Sequence, residues 1–316
     1  MQDMMKIGLN AVMFLVTAAT TLANDKLFKY LPENAVMTGY ANARLIHGNY
    51  VGQQAGELNK LISARNFGAY DFSGVMDKFD SALVATDRTM SAESQMLLLN
   101  TTLPPEDFFT ILEESSKCKL LRRNIQDHTA AIFPPQAVNK KLRNRIQVAV
   151  IYLTDNIVYI GNLAQGEKLL TAPPEKSDAT PPVFADLPSD AFAMVTAVPG
   201  QITVLAPFFG GLEKITLAAQ AIDDGHGVRI IGSIPCDTPK TAQQLAVNLR
   251  TLAITMLPAL MRNNMALGRR IATALTTSSN NSEVKIEWLF DKKLTEEIFN
   301  YSKKLAALPE NSQRVE

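Results

Sequence analysis

Two short stretches of this chain recur in the same order, and that recurrence constrains the fold more than any single motif. Leu31-Pro32-Glu33-Asn34-Ala35 leads into Val36-Met37-Thr38-Gly39, and Leu187-Pro188-Ser189-Asp190-Ala191 leads into Phe192-Ala193-Met194-Val195. Further along, Phe72-Ser73-Gly74 through Asp87 aligns without a gap to Phe208-Phe209-Gly210 through Asp223. The shared pairs are Phe72/Phe208, Gly74/Gly210, Lys78/Lys214, Ala82/Ala218, Ala85/Ala221 and Asp87/Asp223. Each match reads as a polar approach into a strand, so the pattern predicts two copies of one unit. The first copy holds a longer insert that reads as helix from Val51 to Ala64.

The join between copies is a shift in composition. Thr171 to Asp190 carries Pro173, Pro174, Pro181, Pro182 and Pro188, and repeated proline forbids helix and favours an extended connection. The expected organisation is a first repeat over 24–170, a linker over 171–186 with the boundary near Ala179, and a second repeat over 187–316.

Periodicity supplies the elements. Ile215, Leu217, Ala219 and Ala221 alternate with Thr216, Ala218 and Gln220; Asp223-Asp224-Gly225-His226-Gly227 follows; then Val228, Ile230, Gly232 and Ile234 alternate again. Period-2 runs around a Gly/Asp cluster predict a β-hairpin. The first copy has the same pair over Phe79–Thr86 and Gln95–Thr102. A helix follows each hairpin. One starts near Pro105. The other is capped by Thr238 with Pro239 at its first position, carries Leu245, Leu249, Leu252, Met256 and Leu260 on one face, and is kinked or ended by Pro258. Strands over Arg145–Leu153 and Ile157–Leu163 flank Thr154-Asp155-Asn156. In the second copy Val284, Ile286, Trp288 and Phe290 alternate, and Leu294, Ile298, Tyr301 and Leu305 mark a last helix. The predicted class is α+β: two similar domains, each a mainly antiparallel sheet packed against helices.

The N-terminus reads as an export signal over residues 1–23. Lys6 precedes an apolar run from Ile7 to Ala23, and Thr21-Leu22-Ala23 places small residues where a signal peptidase reads, predicting Asn24 as the mature start. The run is interrupted by Asn10, Thr17, Thr20 and Thr21, unlike a spanning helix, and no later segment is long and apolar enough to span a bilayer. The reading is a periplasmic or extracellular protein with no transmembrane segment after cleavage.

Reactive chemistry is sparse. Phosphate-cradling glycine loops, a dinucleotide fingerprint and a nucleophile elbow are all absent from the sequence. His47, His128 and His226 have no partner at zinc-helix spacing, and Cys118 and Cys236 have no ligand spacing, so neither metal nor cofactor is expected. The two thiols leave open one disulfide or two buried free cysteines, with Cys118 placed inside the first helix. Asp223, Asp224 and His226 form the most reactive-looking cluster, against the plainer reading of a hairpin turn with a solvated histidine. Lys117, Lys119, Arg122, Arg123, Lys140, Lys141, Arg143 and Arg145 form a basic stretch with Asp127 the only acid, read as a solvated helix face and loop. Lys plus Arg and Asp plus Glu are both 31, so there is no global field for nucleic acid, and nucleic acid is not expected as a partner.

The Leu-Pro-x-x-Ala entry, its following strand and the duplication resemble a loosely defined class of exported bacterial proteins. That resemblance implies an envelope, periplasmic or cell-surface role and brings no catalytic residues. The functional expectation is a non-catalytic binding or scaffold protein whose partner is a protein or envelope component. Two alternatives stay open: a carrier of an apolar or lipid-like ligand, and a hydrolase built on Asp223, Asp224 and His226.

Overall fold

A β-strand shows opposite faces at successive residues, so a sheet with helices on both sides needs apolar residues at nearly every position, and a half-covered sheet needs them at every second one. Both patterns occur here. The computed structural model describes residues 26–32, 34–42, 45, 49–54, 57, 78–89, 91, 93–135, 146–171, 188, 190–201, 212 and 214–307.

Twelve strands form one antiparallel sheet in the order β11-β12-β10-β9-β8-β1-β2-β3-β7-β6-β5-β4. The strands are β1 (Met37–Asn42), β2 (Phe79–Thr86), β3 (Met96–Thr101), β4 (Leu121–Ile125), β5 (His128–Ile132), β6 (Val148–Tyr152), β7 (Ile157–Asn162), β8 (Ala193–Ala197), β9 (Ile215–Ile222), β10 (Gly227–Pro235), β11 (Leu275–Asn280) and β12 (Glu283–Phe290). The helices are α1 (Pro105–Ser116), α2 (Leu163–Thr171), α3 (Pro239–Leu260), α4 (Met265–Thr273) and α5 (Lys292–Ala307), with a further helical segment at 50–54. Helices beside a large antiparallel sheet make the α+β class. The strands assigned in the sequence to two separate domains do not make one sheet each. β1 pairs with β8, Gly39 facing Val195, and joins them into a single sheet.

The first face of that sheet carries Phe79, Leu99, Val150, Val158, Ala219, Val228 and Phe290. Packed on it are Phe108, Phe109 and Leu112 of α1, Leu267 of α4, and Leu294 and Phe299 of α5. Ile234 and Val284 continue this face outward and bury Ala242 and Ala246 of α3. The second face carries Tyr40, Leu83, Leu98, Ile151, Tyr159 and Met194 under Leu27, Phe28 and Tyr30 and the α2 residues Leu163, Leu169 and Leu170.

Both predicted hairpins, β2–β3 and β9–β10, are present, as are the two strands around Thr154-Asp155-Asn156. Thr238 caps α3 by accepting from the Thr241 N–H at 3.1 Å. Pro258 does not end this helix, which runs on to Leu260. Its neighbour on α4 is Gly268, where a Cβ would stand 2.8 Å from Pro258 Cα and 2.9 Å from the Leu257 carbonyl oxygen. The missing side chain is what lets α3 and α4 come this close.

Two placements differ from the sequence reading. Cys118 is not inside a helix: α1 ends at Ser116, and Lys117 follows in the left-handed region at φ 53°. Arg122 and Arg123 then lie on β4 instead of a helix face, at the edge of the sheet, with Gln126 and Asp127 turning at φ 49° and 67° into β5. Two positive φ values in a two-residue loop are the turn that matches strand twist. The hairpin β11–β12, turning at Asn281, and the helices α2 and α4 add to the elements anticipated. The export signal, the linker beyond Thr171 (which closes α2), the Phe72-Ser73-Gly74 and Phe208-Phe209-Gly210 matches, His47, and Lys140, Lys141, Arg143 and Arg145 lie outside the described residues.

Candidate functional site: polar clefts and an apolar helix stripe

Among the described residues, two open clefts and a set of exposed apolar side chains on α3 and α4 are candidate places to meet a ligand or partner. The first cleft, about 350 Å³, lies between the β2–β3 turn and α2. On the turn side, Asp87 accepts from the Thr89 N–H at 2.8 Å and the Thr89 hydroxyl at 2.6 Å. The Thr89 hydroxyl bond is the main reason that carboxyl sits below the ordinary range; partial burial opposes it and the Thr89 N–H assists. Glu93 stands on the same side. On the helix side are Asn162, Gln165 and Lys168. Asn162 Oδ1 accepts from the Ala164 N–H at 3.3 Å, which leaves its amide NH₂ for another partner.

The second cleft, about 580 Å³, lies among the entry to α1, the β4–β5 turn and the β6–β7 turn. His128 Nδ1 is 2.9 Å from the Tyr152 carbonyl oxygen. A carbonyl only accepts, so Nδ1 is the donor in this bond. Asp127 and Asp155 line the same cleft, and Tyr152 donates to the Leu103 carbonyl oxygen at 2.9 Å. Burial, and then the charge of Asp107, raise the Tyr152 phenol well above its ordinary value, so it stays protonated.

Asp223 and Asp224 make the β9–β10 turn, both at φ 52°, as the plainer sequence reading has it. His226 is not the solvated residue of that reading: it is half-buried, its ring stacked on Tyr50 at 5.0 Å between centroids. Gly225, at φ 83°, packs directly on Asn49, a conformation and a closeness that glycine permits. His226 thus serves packing, and among the described residues no hydrogen bond joins its imidazole to either carboxylate. No group of three or more His, Cys, Asp or Glu side chains among the described residues is arranged to hold a metal ion.

The basic stretch is balanced by acids that lie apart from it in sequence. Arg122 reaches across α1 to Glu113 at 2.8 Å and Glu106 at 3.2 Å and lies over the Phe109 ring at 4.9 Å. Periodicity inside 117–145 could not reveal these carboxylates, because α1 contributes them from before that stretch. Both cysteines are free and half-buried. Cys118 Sγ is 3.0 Å from Ser116 Oγ; burial first, and then Asp237, raises the Cys236 thiol, which weakens it as a nucleophile.

On α3, Val247 is 56% exposed and Ile254, two turns on, is 49% exposed; Leu252 and, at the start of α4, Met265 are also exposed. Sequence periodicity placed Leu252 on the buried stripe. The rest of that face is half-buried, with Leu245 and Leu249 packed beside the buried Ala242 and Ala246, and only Leu252 of the five turns outward. No helix of the described residues is long and apolar enough to cross a membrane.

No protein-family profile matches the chain, and no characterised protein matches it in sequence. Among solved structures, the crystal form I structure of TP0453 is similar, with a TM-score of 0.50 and 13% identity, covering 90% of this chain and 98% of that one. At that identity the likeness concerns the fold alone.

Proposed function

We propose that this chain is an exported, non-catalytic binding or scaffold protein of the cell envelope, built by duplication of one α+β unit, and that it works by contact with a protein or envelope component. The observation that carries the binding role is the exposure of several large apolar side chains, Val247, Leu252 and Ile254 on α3 and Met265 at the start of α4. Large apolar side chains left in water are a feature of interaction sites. Both clefts described above carry charged or hydrogen-bonding side chains in their linings, among them Asp87, Glu93 and Lys168 in the first and Asp127, His128 and Asp155 in the second.

Supporting the duplication is the order of strands outward from the central pair. One way it runs β1-β2-β3-β7-β6, the other way β8-β9-β10-β12-β11, with α1 after β3 and α3 after β10 on the same face. Leu31 and Leu187 are as far apart in sequence as Gly39 and Val195, which face each other across β1 and β8. The ungapped match further on needs a shift. Met37 faces Thr86, while Ala193 faces Ala219 instead of Ile222.

The test uses the full-length chain in its native host, with a photo-cross-linking residue at Ile254. A mature N-terminus at Asn24 and a discrete cross-linked adduct, lost in Val247→Lys, are expected. An intact Met1 on a cytoplasmic protein overturns export. A folded, exported protein without an adduct overturns the binding face.

A further inference from the structure

The first cleft has two walls of opposite charge that do not neutralise each other. Asp87 and Glu93 stand on the turn wall, Lys168 on the α2 wall, and no ion pair joins Lys168 to either carboxylate among the described residues. The opposed charges therefore stand more than an ion-pair distance apart, across about 350 Å³ of open space, room for roughly a dozen waters. The helix wall adds hydrogen-bond donors, the Asn162 and Gln165 side-chain amides. The Tyr159 hydroxyl donates to the Asn162 carbonyl oxygen at 2.8 Å and stands 3.4 Å from the Gln165 side-chain amide. The turn wall is rich in acceptors. Thr89, Ser91 and Ser94 bond among themselves and to Asp87, which holds that carboxylate in place.

We infer that this cleft binds a small zwitterion, an α-amino acid, with its ammonium toward Glu93 and Asp87 and its carboxylate toward Lys168, Asn162 and Gln165. A neutral sugar would leave both charge sets unmatched. A simple anion would match the Lys168 wall and meet repulsion from the acids. Only a ligand carrying both charges satisfies both walls, and the volume, at the small end for ligand clefts, suits a molecule of that size. The inference is independent of the α3 binding face.

Titration calorimetry on the purified full chain decides it, with a panel of free α-amino acids, and for the tightest of them its N-acetyl and carboxamide forms. At least one free amino acid is expected to bind, and each blocked form to bind about tenfold more weakly or worse. Lys168→Met should abolish the penalty for the carboxamide but keep that for the N-acetyl form; Glu93→Gln should do the reverse. Both side chains are exposed, so parent-like thermal melting is expected of both variants and is checked first. No binding by any amino acid overturns the inference. So does equal binding of free and blocked forms, or binding of inorganic phosphate alone that Lys168→Met removes.

Discussion

Strands β6 and β7 and strands β10 and β12 belong to one sheet yet live in different environments. β6 is buried at every residue, and β7 from Ile157 to Ile160, because α1 covers one face and α2 with residues 27–31 covers the other. In β12, Val284 and Phe290 are buried while Lys285 and Leu289 are exposed, because α3, α4 and α5 all cover the same face. The open face is finished with charge: Arg229 pairs with Glu287 at 2.6 Å. The difference teaches that covering, not strand identity, sets how much a substitution costs here.

The sharpest way to break that contrast is one substitution made in both places. Ile151→Asp puts a carboxylate with no partner between two buried layers, and loss of about 4 kcal/mol or more, or failure to fold, is expected in denaturant unfolding. Leu289→Asp, on the open face, should change stability by no more than about 0.5 kcal/mol. Equal losses would mean the second face is covered at β12 as well.

A smaller effect tests how tightly the one-sided half is packed. Gly268→Ala sets a methyl against the Pro258 backbone, and a loss of about 1–3 kcal/mol is expected, with the helix signal in circular dichroism preserved. A neutral result would mean that α3 and α4 slide apart without cost.

The smallest concerns the sheet's β4 edge. Partial burial tends to raise the Glu113 carboxyl, but the bonds from Arg122 and from the Leu120 N–H at 2.7 Å prevail and hold it low. A depressed folded value means this stabilisation is complete above the unfolded value near ~4.3 and is lost as pH falls through the folded value. Stability of the parent should therefore fall by up to about 1 kcal/mol more than that of Glu113→Gln between roughly pH 5 and 3. Parallel pH curves would remove Glu113 from the edge's support.

The same contrast explains which elements could be read in advance. β12 and the β9–β10 hairpin alternate because one side of each strand meets solvent or a sparse layer, and period 2 is then visible. β4, Leu-Arg-Arg-Asn-Ile, is polar because it is an edge strand, exposed from Leu121 to Asn124, and so it passed as helix surface. β11, Leu-Thr-Thr-Ser-Ser-Asn, was hidden for the same reason. At the first cleft the turn residues from Asp87 to Ser94 were in plain view, but α2, which supplies the opposite wall, starts directly at the end of β7, and its capping Asn162 reads as part of that strand.

Local chemistry alone determined the hairpins, the Thr238 cap, the left-handed turn at Asp223 to Gly225 and the alternating strands, since each depends on neighbours a few residues away. Only the tertiary structure decided that one sheet runs through both halves of the chain, that α1 brings Glu106 and Glu113 to Arg122, that Tyr50 covers His226, and that Lys168 faces Asp87 and Glu93 across a cleft. The reason is physical. Backbone pairing between β1 and β8 and contacts between charges distant in sequence depend on where the chain returns in space, and residue type and spacing do not encode that return locally.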